Sequence, residues 1–308
     1  MSLYALLTRP GPSGFGYAST AEEVTAGVRL DGKTILVTGC SSGLGRETLR
    51  VLTLRGATVL GTARTLEGAR AACEVAGAGR AVPLACELSD PASVRACTRV
   101  VAQTAPPLDA IVCNAGIMAL PGRRTAFGVE LQLFTNHVGH FLLVTSLLPR
   151  LAEDGRVTVV SSAAHLRTPR EGIRFDDLGA ERGYSPWTAY GQSKLANVLF
   201  AKALARRLEG SRRTANALHP GVIQTQLGRH MPAALRVGWG LVSPLAFKSV
   251  SQGAATQTWL AAHPSTGALR GAYCADCNVA RPSRLAEDAA LGERLWEATE
   301  GIVARLPG

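Results

Sequence analysis

Tyr190 and Lys194 lie four residues apart in the run Tyr190-Gly-Gln-Ser-Lys194, a spacing that on a helix projects both side chains from one face. A phenol titrates near ~10 in water, so tyrosine is a poor acid or base at neutral pH unless a neighbouring cation stabilises its phenolate. Lys194 is such a cation, and the pair is a candidate for general acid–base work. Taken alone the spacing is common by chance, and it gains weight from a second feature. The run Ile35-Leu-Val-Thr38-Gly39-Cys-Ser-Ser-Gly43-Leu-Gly45 places glycines where a strand turns into a helix. There the backbone of Gly39, Ser41, Ser42, Gly43, Leu44 and Gly45 can approach a pyrophosphate at the helix N-terminus. The expected ligand is a dinucleotide.

The second strand, Thr58 to Thr62, runs into Ala63-Arg64 with no acid positioned to hydrogen-bond an adenosine ribose. An arginine there can pair with a 2′-phosphate, which favours NADP(H) over NAD(H). Arg46 is a weaker candidate for the same task. A rival reading exists, because Gly39-Cys-Ser-Ser-Gly43 also fits the G-x-S-x-G nucleophile elbow of hydrolases, with His219 as a late histidine. That elbow normally follows several strands, whereas this turn follows the first, and the hydrolase reading leaves Tyr190 and Lys194 without a role.

Positioning these groups requires a sheet. From Lys33 onward short apolar runs alternate with longer helical patterns, as in repeated βαβ units. Strands are expected at Thr34 to Thr38, Thr58 to Thr62, Ala81 to Ala85, Ala110 to Asn114, Val157 to Ser161 and Thr214 to Leu218, with a weaker one near Ala272 to Cys274. The longest helix is expected from Thr188 to Leu208 and a final one around Ala286 to Ala304. The fold class is therefore α/β, a doubly wound parallel sheet of seven strands in one domain, 29–308, with the cofactor across the carboxyl ends of the strands. Residues 1–28 read as an N-terminal arm in which Thr20-Ala-Glu-Glu23 should cap one short helix. The segment at about 226–250 mixes Met231, Leu235, Trp239 and Leu241 with prolines and glycines, and is expected to cover the substrate.

In chain order the motifs are the glycine turn, Cys113-Asn114-Ala115-Gly116, Ser161-Ser162, Tyr190/Lys194 and Pro220-Gly221. This combination resembles the short-chain dehydrogenase/reductase family over Leu30 to Asp276. Asn136-His-Val-Gly-His-Phe141, Ser161-Ser-Ala-Ala-His165 and His219-Pro-Gly-Val222 resemble its retinol dehydrogenase and WW-domain oxidoreductase branch; the light-dependent protochlorophyllide reductases share part of the pattern. The resemblance implies a catalytic tetrad of Asn136, Ser162, Tyr190 and Lys194. Ser162 would hydrogen-bond the substrate oxygen, Tyr190 would pass it a proton, and Lys194 would hold the nicotinamide ribose while lowering the phenol pKa. Asn136 would anchor a water. Asn114, Ala115 and Gly116 would line the adenosine side, and Pro220, Gly221, Val222 and Thr225 would lie by the nicotinamide. Where the family usually has an aspartate to meet adenine, this chain has Glu87-Leu88. The implied reaction is hydride transfer between NADP(H) and a lipophilic carbonyl/alcohol pair, and relatives imply a homodimer or homotetramer through the long helices. Some such folds bind nucleotide as regulators or scaffolds without turnover, which is the competing class.

Bulk composition narrows the field further. Hydrophobic residues make up 46% and charged residues 18% of the 308, ordinary for a globular chain. The formal charge of +10 comes from scattered basic residues, of which only Lys33, Lys194, Lys202 and Lys248 are lysines. No basic run is interleaved with aromatics, so a nucleic-acid partner is not expected. Seven cysteines, mostly in apolar runs, suit a reducing cytoplasm. The N-terminus lacks a charged region leading into an apolar stretch and no run reaches the ~18 uninterrupted apolar residues of a membrane span, so neither secretion nor spanning is expected. Cys274-Ala-Asp-Cys277 lacks a second pair to complete a zinc site, and no metal is expected.

Overall fold

The computed structural model describes residues 9–77, 79–223 and 247–307. In chain order it holds β1 (Thr34–Val37), α1 (Gly43–Leu54), β2 (Thr58–Ala63), α2 (Leu66–Ala76), β3 (Ala81–Ala85), α3 (Pro91–Thr104) and β4 (Leu108–Cys113). A hairpin of β5 (Thr125–Ala126) and β6 (Val129–Glu130) follows. Helix α4 begins at Leu131–Leu133, widens to a π-helical stretch at Phe134–Val138 and resumes over Gly139–Leu147. Then come β7 (Leu151–Val160), α5 (Pro186–Arg207), β8 (Thr214–His219), α6 (Val250–Ala262), β9 (Tyr273–Ala275), β10 (Asn278–Val279), α7 (Arg284–Glu287) and α8 (Ala289–Ala304).

The sheet order is β10-β9-β8-β7-β4-β1-β2-β3. Seven strands run parallel, as expected, and β10 adds an eighth, antiparallel to β9. Two residues joined to β9 by a tight turn are too short for apolar alternation to register, so this strand is not legible in the sequence. The winding reverses at β1, which pairs with β2 on one side and β4 on the other. Such a reversal opens a crevice at the carboxyl ends of the two strands. Successive side chains of β1 serve opposite faces. Ile35 and Val37 join Leu49 and Leu52 of α1 in one core, while Leu36 joins Phe134 and Phe141 of α4 and Leu195 of α5 in the other. Both faces are thus covered, and the strand is buried throughout.

Helix α5 starts with Pro186 at its first turn, where a missing N–H costs nothing. It is buried on more than its sheet-facing side, because α8 packs against it. The Arg207 guanidinium lies 3.9 Å from the centre of the Trp296 ring, Phe200 stacks on the same indole, and Glu293 pairs with both Arg206 and Arg207. The final helix expected over Ala286 to Ala304 is divided at Asp288, which caps α8 by accepting from the Leu291 N–H.

The expected capping box at Thr20 is present, with Thr20 N–H donating to Glu23 and Glu23 N–H to Thr20 Oγ1. It starts a single 3-10 turn, Glu23–Thr25. The described part of the arm lies on the domain: Ala21 N–H donates to Ser251 O, Gln252 Nε2 to Ala18 O and Asn278 Nδ2 to Phe15 O. The expected substrate cover lies outside the described residues except for its last four positions.

Candidate active site

The glycine turn leaves β1 at the reversal point. Gly39 has φ +74°, and a β-carbon on it would come within 2.9 Å of Ala115. On Gly45 a β-carbon would lie 2.2 Å from the Gly39 carbonyl oxygen and 2.5 Å from Asn114 Nδ2, so only glycine lets α1 press onto the ends of β1 and β4. Ser42, the residue before α1, makes no side-chain capping bond. The first N–H groups of that helix are therefore not taken up by the capping hydroxyl and are available to a ligand. Ser41 and Ser42 are exposed and Leu44 is buried. Arg64 is exposed directly after β2, and no carboxylate pairs with it among the described residues. The cradle fits a dinucleotide on these observations.

Across the crevice, Asn114 ties the two strand ends together. Its Nδ2 donates to Thr38 O at 2.8 Å, and its Oδ1 accepts from Gln257 at 3.1 Å. Thr38 Oγ1 accepts from the N–H groups of both Asn114 and Ala115. Gly116 lets two further side chains approach, since a β-carbon there would be 3.0 Å from Asn136 Oδ1 and 3.5 Å from Lys194 Nζ.

Strand β7 delivers the two serines to different places. Ser161 is buried and its hydroxyl donates to Lys194 O at 2.7 Å, fixing α5 to the sheet. Ser162 lies against the Tyr190 phenol, whose pKa it lowers, while its Oγ accepts from Ala164 N–H at 3.1 Å. Gly191 makes this approach feasible: a β-carbon on it would be 2.2 Å from Arg167 O, so the turn after Ser162 sits directly on α5. Lys194 Nζ donates to Val160 O at 3.0 Å and lies 5.7 Å from the centre of the Tyr190 ring. Tyr190, Lys194, Ser162 and Asn136 are thus gathered beside the glycine turn.

The family model for short chain dehydrogenase matches residues 33–174. The chain is 39% identical to short-chain dehydrogenase TIC 32 A, chloroplastic, of Brassica napus, over 100% of both chains. It is 39% identical to human retinol dehydrogenase 14 over 90% of this chain and 88% of that one. This chain belongs to the short-chain dehydrogenase/reductase family. Its similarity to the retinol dehydrogenases places it in their branch. Among solved structures, an uncharacterised protein from Mycobacterium paratuberculosis superposes with TM-score 0.73 at 34% identity, covering 94% of this chain and 100% of that one. A blue fluorescent protein from a metagenomic library, crystallised with NADPH, does so with TM-score 0.64 at 26% identity, covering 80% and 96%.

Burial governs the electrostatics of the tyrosine–lysine pair in this short-chain dehydrogenase/reductase. Burial pushes the Tyr190 phenol up to about 12, with Ser162 opposing it, and pulls the Lys194 ammonium down to about 8. Desolvation disfavours the charged form of each group. Burial thus favours the protonated phenol.

Asn136 is placed differently from a simple water anchor. Its Oδ1 accepts from Ile117 N–H at 2.8 Å, and its Nδ2 donates to Ile117 O and Ser193 Oγ, both at 2.9 Å. Both amide protons are used, and the side chain clamps the chain after β4 to α5. Sequence reasoning missed His140, whose Nδ1 meets Asn136 O at 3.0 Å and whose Nε2 meets Thr38 Oγ1 at 2.9 Å. It joins the π-helical stretch to the end of β1. The four-residue spacing of Asn136 and His140 was the available signal. His165 is pinned between Ser162 O and Ser283 N–H, which leaves it no free nitrogen for a ligand. His219 accepts from Gly221 N–H and is held down to about 4 by burial, and the Cys40 thiol is buried against Val37 O. The hydrolase alternative gains nothing from either.

Glu87 uses Oε1 to accept from Ser89 N–H and Oγ, so the carboxylate is held within its own turn, and Leu88 is buried against Gly139 of α4. Gly221 has φ +88° and Val222 is 44% exposed, while Thr225 lies outside the described residues. Among the described residues no group of three or more His, Cys, Asp or Glu is arranged to hold a metal, and no helix is long and apolar enough to cross a membrane.

Proposed function

We propose that this enzyme is an NADP(H)-dependent oxidoreductase that reduces a lipophilic ketone or aldehyde, with Tyr190 as the proton donor. The observation that carries the reading is the buried Tyr190, with Ser162 against its phenol and the Lys194 ammonium 5.7 Å from its ring and close to Gly116. When bound, the nicotinamide supplies the hydride. The chain would do the rest. Ser162 Oγ–H orients the carbonyl oxygen, Tyr190 O–H gives that oxygen its proton, and Lys194 contributes positive charge beside the phenolate that remains. Gly39 to Gly45 would receive the pyrophosphate, Asn114 to Gly116 the adenosine side, Glu87 and Leu88 the adenine edge, and Pro220 to Val222 with Thr225 the nicotinamide. A protonated phenol at neutral pH suits reduction, since it begins the step as an acid.

The lipophilic substrate rests on the rim. Leu166, Trp187 and Val222 are respectively 66%, 41% and 44% exposed, and the Trp187 indole stands edge-on to the Tyr190 ring at 6.3 Å. An exposed indole beside the tyrosine that carries the reactive hydroxyl fits an apolar ligand. Seven buried free cysteines support a cytoplasmic, reducing setting. A homodimer or homotetramer would need a surface other than the side of α5 that α8 covers.

The deciding experiment is NADPH consumption against ketones and aldehydes of rising hydrophobicity. Turnover should appear and kcat/KM should climb along the series. Cofactor binding without turnover on the whole panel would make the chain a nucleotide-binding regulator instead. For cofactor choice, a charge-assisted hydrogen bond is worth about 1.5–3 kcal/mol, or roughly 10- to 100-fold. Arg64→Ala should therefore raise the KM for NADPH by that factor and leave NADH nearly unchanged. An unaltered NADPH/NADH ratio would mean that the 2′-phosphate is read elsewhere.

A further inference from the structure

The chain after β8 is underpinned by a buried charge that the reading above leaves unused. A β-carbon on Gly221 would lie 2.7 Å from Cδ of Lys248, so the lysine stem sits directly beneath that glycine. Lys248 N–H donates to Val222 O at 3.0 Å, and Ile223 and Lys248 form an isolated parallel bridge. The Lys248 side chain is 1% exposed. Its ammonium is 2.5 Å from Asp276 Oδ1 and 4.9 Å from the centre of the Tyr17 ring, which comes from the N-terminal arm.

Asp276 reaches Lys248 from a strained turn. Asp276 and Cys277 are the two central residues between β9 and β10, with φ +51° and +59°. Positive φ at both central positions is the geometry of a type I′ hairpin, where glycine and asparagine are usual and cysteine is not. The surroundings hold Cys277 there, because its N–H donates to Thr256 Oγ1 at 3.1 Å and its sulfur is buried 3.7 Å from the same oxygen. Strain of this kind persists where neighbours over-determine the backbone, and it concentrates at functional clamps. Burying the Lys248 ammonium is a costly way to gain stability, but its pairing with Asp276, which stays 40% exposed, fixes its position.

We propose that Lys248, tethered by Asp276, is a positioning residue that sets the height of Pro220–Val222 against the nicotinamide half of the bound dinucleotide. The inference rests on the cofactor reading above. The stem of Lys248 fills the space that Gly221 lacks a side chain to fill, so the loop can sit no lower than the stem allows. The Asp276 tether keeps the stem from swinging away.

The test compares two ligands by calorimetry: NADPH, and adenosine 2′,5′-bisphosphate, which carries only the adenosine half. Lys248→Met keeps an unbranched apolar stem and removes the charge, so the fold is retained, and Asp276→Asn removes the tether from the other side. Each variant should weaken NADPH about tenfold and leave the bisphosphate within about twofold. Unchanged NADPH affinity in Lys248→Met overturns the proposal. An equal loss for both ligands also overturns it, because that marks general loosening. Wild-type protein that binds the two equally shows that the loop contributes nothing to binding, which is again a refutation. Wild-type protein that binds neither removes the cofactor reading itself, a distinct failure.

Discussion

Replacing Tyr190 with phenylalanine should lower kcat for carbonyl reduction about 10³-fold and leave the NADPH dissociation constant within about threefold. The magnitude is that of a positioned proton donor, which typically contributes 10²–10⁴. The selectivity for kcat follows from what the substitution spares. The ring stays, with its edge contact to Trp187 and its burial on α5. Only the hydroxyl goes, and Ser162 Oγ keeps its bond from Ala164 N–H. Nothing on the glycine turn touches the lost atom, so the cradle for the dinucleotide should be unaltered. A variant keeping a tenth or more of wild-type turnover would show that the proton comes from another group. A variant that lost cofactor affinity in parallel would place Tyr190 in binding rather than chemistry.

The parts of this molecule legible in its sequence are those whose physics is local. A strand-to-helix turn needs glycine at the positions where Gly39 and Gly45 stand, and the close approaches at both bear that out. The tyrosine and lysine share a helix face because they are four residues apart. What sequence reading misses depends on partners distant along the chain. Thr38 meets His140 and Asn114 meets Gln257 over separations of 102 and 143 residues. The widened helical stretch at Phe134–Val138 also escapes, since one additional residue per turn barely disturbs an apolar pattern. The raised phenol pKa is illegible for a related reason. Spacing reveals that an ammonium is near, whereas the depth of burial, which decides the balance here, belongs to the assembled core.

Lys194→Met should produce an enzyme that is more stable at neutral pH and nearly dead. The ammonium is held at about 8, below the 10.5 of an unhindered lysine, so folding disfavours its charged form. The penalty is fully present below pH 8, where the folded chain must carry the buried charge, and it is relieved as pH rises toward 10.5. A displacement of this size corresponds to a cost on the order of 3 kcal/mol. Methionine removes that cost and fills the space with an unbranched apolar chain. The bond to Val160 O is lost, but that carbonyl still accepts from Asn197 Nδ2 at 3.0 Å and is not orphaned. The net gain at pH 7 should be about 1–3 kcal/mol in urea unfolding, shrinking between pH 8 and 10.5 as the wild type sheds its proton. Turnover should fall by about 10³, as expected when the charge that supports proton transfer is removed. A variant less stable than wild type at pH 7 would show that the ammonium is compensated within the fold, and the argument that it is retained for chemistry alone would fail.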